Sequence, residues 1–209
     1  VEHHLLMSMT AQSRDLGVIQ TALALEHEGI AAYQIAGRSG LLSPQTLKLA
    51  LVFLGHHEAH RDSLAELVAQ AGEKPVEPKT DADYVAGLKL DGLKSEADVV
   101  ALATRLERGA ASAYIGQITA LTDPALAKLF AEISADEAGI VSLIANLPVL
   151  EPAINNGAFV TAASIVDPRQ PAIDPMVRMQ FLGGLYRAFT GAAAAIAELG
   201  ASATVAEVV

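Results

Sequence analysis

The chain writes one nine-residue motif twice. "LEHEGIAAY", which carries Glu26 and Tyr33, returns as "LERGAASAY", which carries Glu107 and Tyr114, and both residue pairs lie 81 positions apart. In each copy the Tyr follows the Glu by seven residues, two helical turns, so the two share one helix face. A second correspondence lies at an offset of 80. "HHEAHRDSL" set against "DEAGIVSLI" places His57 on Glu137 and His60 on Ile140. A repeated pair of helices is the trace a pseudo-symmetric four-helix bundle leaves in its sequence.

Local signals place the four helices. The first spans about residues 13–38 and stops at "GRSG". The second opens with Ser43 as N-cap and Pro44 in the first helical position, and it stops at "QAGEKP". A long connection over residues 73–94 carries Pro75, Pro78 and a short "DADYVAGL" piece. The third helix starts at the capping-box-like "SEAD" of Ser95 and runs to about Leu121. The fourth starts at "DPAL", with Asp123 capping and Pro124 leading, and stops before Pro148. The predicted fold is therefore all-α: a four-helix bundle over residues 10–147 with a long crossover between helices 2 and 3. A C-terminal extension, 148–209, is expected to contain a fifth helix at about 175–199. Hydrophobic residues make up 52% of the chain and aromatics only 4%, a balance suited to interlocking helices and poor for β-sandwiches.

Several function classes recede on composition. A net charge of −10, with no basic run, argues against a nucleic-acid or anionic-membrane partner. The absence of Cys removes thiolate ligands, disulfides and cysteine nucleophiles together. "FLGGLYRAFTGAAAAIAELG" is apolar, but Arg187 and Glu198 make it a poor membrane span. A packing or dimerisation helix is the better expectation, giving a homodimer. No signal-peptide pattern is visible, and cytoplasm and periplasm both fit. His3 and His4, at the very start of the chain, are left out of the functional reading.

Helical phase sorts the polar residues. Glu26 shares its face with Ile19, Leu23, Ile30 and Tyr33, and Glu107 with Val100, Ala103, Tyr114 and Ile118. Glu137 sits among Phe130, Ile133, Val141 and Ile144. His60 lies with Phe53, Leu64 and Leu67, flanked by His56 and His57, while Glu58 and Asp62 face away. An ionised Glu in a core is costly unless it is paired or bound to a cation. Three carboxylates converging on a His-rich turn point to a metal site made from Glu26, His57, His60, Glu107 and Glu137. The alternative is that His57 and His60 simply hydrogen-bond the glutamates. Tyr33 and Tyr114 read as core side chains with bonded hydroxyls, His56 as a rim residue, and His27, Glu28, Glu132 and Asp136 as solvated or helix-contact residues.

"LALEHEGIAAYQ", "HEAHRDSLAELVAQAGEKP", "LERGAASAYIGQITALTDPALAKLF" and "ADEAGIVSLI" resemble a bacterial ferritin-like family that includes desiccation-related members. The resemblance covers about residues 17–145. In dimetal members of that superfamily two helices each give one Glu, and the other two each give Glu-x-x-His. It implies that Glu26 and Glu107 are the single glutamates, His60 the first His and Glu137 the second bridging Glu. His57 then stands where a bridging Glu is expected, and Ile140 where the second His is expected. The resemblance thus implies an asymmetric or mononuclear centre of Glu26, His57, His60 and Glu137. Such a centre suits iron first, with zinc or manganese as alternatives, and one ion rather than two. Metal binding in the bundle core is the expected function, with room for weak metal-dependent oxidase activity, and a non-enzymatic structural or stress-associated bundle that has lost its metal centre is the alternative.

Overall fold

A computed structural model describes the backbone of residues 2–145 and the side chains of residues 11–145. Helix α1 spans Glu2–Arg38, α2 Pro44–Gln70, α3 Asp81–Leu88, α4 Glu96–Ile118 and α5 Pro124–Ala145, with a 3-10 turn, Leu90–Gly92, between α3 and α4. No strand occurs among the described residues. Helix α1 packs along α2 and α4 along α5, and the two hairpins meet through α1 against α4 and α2 against α5. The expected helix at 175–199, with the apolar stretch inside it, lies outside the described residues. No helix among those described is long and apolar enough to cross a membrane.

The start signals act as their chemistry dictates. The Ser43 side chain accepts the Thr46 N–H, Ser95 accepts the Asp98 N–H, and the Asp123 carboxylate accepts the Ala125 N–H, each satisfying an amide the helix itself leaves unpaired. Helix α1 begins well before the expected Ser13. Leu5, Leu6, Met7 and Met9 are good helix formers, and neither Pro nor Gly interrupts residues 2–13, so nothing stops the helix there.

The crossover between α2 and α3 has no backbone partner along its extended part, and side chains of α1 supply one. Gln20 donates to the Lys74 carbonyl and accepts the Val76 N–H, both at 2.8 Å, and His27 Nε2 lies 3.0 Å from the Val76 carbonyl oxygen. His27, expected as a solvated or helix-contact residue, is a crossover contact.

At one end of the bundle Leu23, Leu64, Val68, Tyr114 and Phe130 form the dry core. Beside it the buried Asp15 of α1 accepts the Thr122 N–H at 2.8 Å, the Thr122 hydroxyl at 2.7 Å and the Asp123 N–H at 3.0 Å. This carboxylate ties α1 to the loop between α4 and α5. Asp15→Ala leaves three donors without their acceptor, and it should cost roughly 2–3 kcal/mol in urea unfolding. A loss under about 0.5 kcal/mol, the range of an ordinary surface substitution, would show that water replaces the carboxylate fully.

Candidate metal centre

Midway along the bundle Glu26 of α1, His57 and His60 of α2, Glu107 of α4 and Glu137 of α5 come together. The three glutamates are at most 1% exposed and both imidazoles are buried. His57 is the hub. Its Nδ1 lies 2.8 Å from Glu26 Oε2 and 3.7 Å from Glu137 Oε1, and its Nε2 lies 3.3 Å from Glu107 Oε1. His60 Nδ1 lies 3.1 Å from Glu137 Oε1 and 3.7 Å from Glu26 Oε1. Glu26, His57, His60 and Glu137 each offer one donor atom, and these four atoms lie within 4.8 Å of one another. Glu107 adjoins this group through His57 without belonging to it. All five expected residues are therefore brought together, four of them as one compact donor set.

The ring of His57 fits because residue 29 has no side chain. A Cβ built on Gly29 would stand 2.9 Å from His57 Cε1 and 3.0 Å from Nδ1. In the second copy of the repeat Ala110 takes the place of Gly29, and there the residue aligned with His57 is Glu137. A flat carboxylate is paired with Ala in one half and a bulkier imidazole with Gly in the other. Gly29→Ala should displace the ring and lower stability by about 1–3 kcal/mol, the usual cost of overpacking. Thermal unfolding tests it, with a shift of the His57 imidazole resonances as a second readout. An unshifted His57 spectrum would contradict the contact.

Two further groups act behind the donors. Tyr33 of α1 donates its hydroxyl to Glu107 Oε1, and Tyr114 of α4 donates to Glu26 Oε1, so each tyrosine bonds the carboxylate of the other copy. Asp136 Oδ2 lies 3.3 Å from His60 Nε2, behind the imidazole. Such a carboxylate holds the outer ring nitrogen and leaves Nδ1 facing the interior. Asp136, expected as a solvated or helix-contact residue about 100° from Glu137 on its own helix, makes a helix contact. Only the approach of α2 to α5 reveals its contact. Its counterpart in the other half is His56, whose Nδ1 is buried without a hydrogen-bond partner.

A family model described as a ferritin-like domain matches residues 14–149, more than half of the chain. The chain belongs to the ferritin-like family. Searches of curated proteins and of solved structures returned no match.

Within the ferritin-like pattern the two halves of the centre are unequal. Ile140, fully buried, aligns with His60 in the repeat and offers no donor atom. The half around His60 carries the four clustered donor residues and Asp136, while the half around Glu107 carries one carboxylate.

Burial and charge decide the protonation of the metal-free cluster. Burial pushes Glu26 up, but hydrogen bonds and charge from His57 and His60 outweigh it and hold the carboxyl at about 2. Glu107 is likewise held down against burial by its contacts with Glu137, His57 and Tyr33. Glu137 goes the other way, raised well above the carboxylate range by burial and by the adjacent Glu107 charge. Burial opposes protonation of both imidazoles, yet the surrounding carboxylates lift His57 well above its usual value. They lift His60 to about 11. In the metal-free cluster the surroundings thus favour protons on His57, His60 and Glu137 over Glu26 and Glu107.

Charge pairing leaves geometry unsatisfied. Both oxygens of Glu137, Oε2 of Glu107 and Nδ1 of His60 are buried without an aligned hydrogen-bond partner. Each such atom costs about 1–3 kcal/mol. Three of these atoms, His60 Nδ1 and both Glu137 oxygens, belong to the four-residue group, and a set of two imidazole nitrogens and two carboxylates suits Fe, Mn or Zn. The residues fit a metal ion.

Proposed function

We propose that this ferritin-like protein binds one divalent transition-metal ion through Glu26, His57, His60 and Glu137, with Glu107 alongside and iron as the first candidate. The observation that carries the reading is the convergence of four buried donor residues within 4.8 Å, among them His60 Nδ1 and both Glu137 oxygens with no hydrogen-bond partner. One ion is favoured over two because Ile140 replaces a donor in the other half. A redox metal held there supplies Lewis acidity and one-electron chemistry, which supports weak oxidase or peroxide-consuming activity. Pairing of two copies through residues 175–199 completes the proposal, and size-exclusion chromatography tests it.

Elemental analysis after reconstitution with Fe(II), Mn(II) and Zn(II) in turn should give close to one equivalent of the preferred ion. Binding below about a tenth of an equivalent of every metal excludes the centre, and two equivalents exclude the single-ion form. A second reading rests on the mutual neutralisation of the five side chains: a structural bundle whose glutamates are held by His57 and His60. It requires that chelator leave the melting temperature of the purified protein unchanged. A site binding a hundredfold above its dissociation constant instead adds roughly 2.7 kcal/mol, which chelator removes.

A further inference from the structure

We infer that the ion reaches the buried centre along the seam between α1 and α4, beneath the crossover, with Glu28 as the carboxylate at the mouth. This rests on the metal reading above and adds the route. The centre has no opening of its own, since its five side chains are buried, so the path must run through the cavities that adjoin it.

One cavity of about 20 Å³ touches the centre directly, against Glu26, His57 and Glu107, with Leu25, Glu28 and Leu106 on its walls. A space of this size holds about one water molecule. It lies beside Gly29, where any side chain would meet the His57 ring. Two larger cavities share walls with it. The first, about 250 Å³, is a groove between α1 and α4 roofed by the crossover, and it shares Leu25 and Glu28 with the inner cavity. The second, about 50 Å³, lies toward the other end of the bundle and shares Tyr33 and Leu106.

The chemistry of the walls separates the two routes. A cation leaving water needs oxygen or nitrogen donors at each step, or it meets the full cost of desolvation. The second cavity is lined by Ala32, Phe53, Leu102, Ala103 and similar groups. Its only side-chain oxygens are those of Tyr33, whose hydroxyl is donated to Glu107, and Thr46, whose hydroxyl is donated to Glu96. The groove instead carries the Glu28 and Glu77 carboxylates, with Lys79 the one cation on its walls among the described residues. It also carries Gln117, whose Oε1 is buried without a partner. Glu28 lines the groove and the inner cavity at once, so one carboxylate can pass an ion from solvent-facing donors to Glu26 and Glu107. Leu25 and Glu28 are the residues common to the two cavities. The roof is tied to α1 at Gln20 and His27, a small number of bonds to loosen.

Stopped-flow uptake of Co(II) by the metal-free full-length chain, with equilibrium titration of the same samples, tests the route. Glu28→Gln should slow uptake about five-fold or more and flatten its dependence on salt, because a steering charge is lost. Ala113→Trp, which fills the groove, should slow uptake and release together by about ten-fold while leaving the dissociation constant within about two-fold, as a change of barrier without a change of site requires. Ala103→Phe, which fills the apolar cavity, should leave the rates unchanged. Wild-type uptake rates in both groove variants, or slow uptake in Ala103→Phe alone, overturn the route and leave the metal centre standing. No Co(II) binding by the wild-type chain overturns the centre, and the route with it.

Discussion

Glu137→Gln should lower metal affinity by roughly 100-fold or more, beyond the 10–100-fold typical of losing an outer hydrogen-bond partner, and should leave the metal-free protein at least as stable as before. Glu137 is fully buried, neither of its oxygens has a hydrogen-bond partner, and burial beside Glu107 keeps it protonated. Gln has the same shape and no charge, so the metal-free fold loses nothing, while the metal loses an anionic ligand. Glu26→Gln has the same effect on metal and the opposite effect on the fold. It leaves one acceptor oxygen where His57 and Tyr114 used two and leaves imidazolium charge uncompensated, at a cost of about 3–5 kcal/mol. Thermal melts in chelator, paired with calorimetric metal titration, separate the two glutamates. Equal destabilisation by both substitutions would mean that Glu137 is a structural acid and not a ligand held ready.

At the proposed centre, metal affinity should rise with pH. In the metal-free protein His60 titrates at about 11 and so holds a proton at neutrality, and the surroundings of His57 and Glu137 shift both toward their protonated forms as well. Each must lose its proton to offer a lone pair. Protons therefore sit on the free form and are released on binding, so acid favours the metal-free state. Each released proton adds a factor of ten per pH unit, so the His60 proton alone gives a climb of about one decade per unit between pH 6 and 8. Titrations across that range, in buffers of different ionisation enthalpy, count the protons directly. An affinity that does not change with pH would show the donors already bare.

The metal-free fold follows the same shifts with two signs. Glu26 is depressed from 4.5 to about 2, so its contribution is complete above pH 4.5 and fades as pH falls through 2. His60 is raised from 6.5 to about 11, so its contribution is complete below pH 6.5 and fades as pH rises through 11. Both are fully present only between about pH 4.5 and 6.5, where these two groups together support the chelated protein most.

The sequence alone determined the helices and the inward set. Caps at Ser43, Ser95 and Asp123 are local chemistry, complete within three or four residues. The inward direction of Glu26, His57, His60, Glu107 and Glu137 follows from phase on a single helix, and the 81-residue repeat announces that two helix pairs meet. The tertiary structure decided who touches whom. That Asp136 stands behind His60, that Tyr33 bonds Glu107 rather than its own Glu26, that Gly29 exists to admit the His57 ring, and that Asp15 holds the far loop are all properties of two helices at once. They depend on how far one helix is rotated and slid along the other. A few tenths of an ångström in that placement decide a contact, and no periodicity within one strand of sequence encodes it.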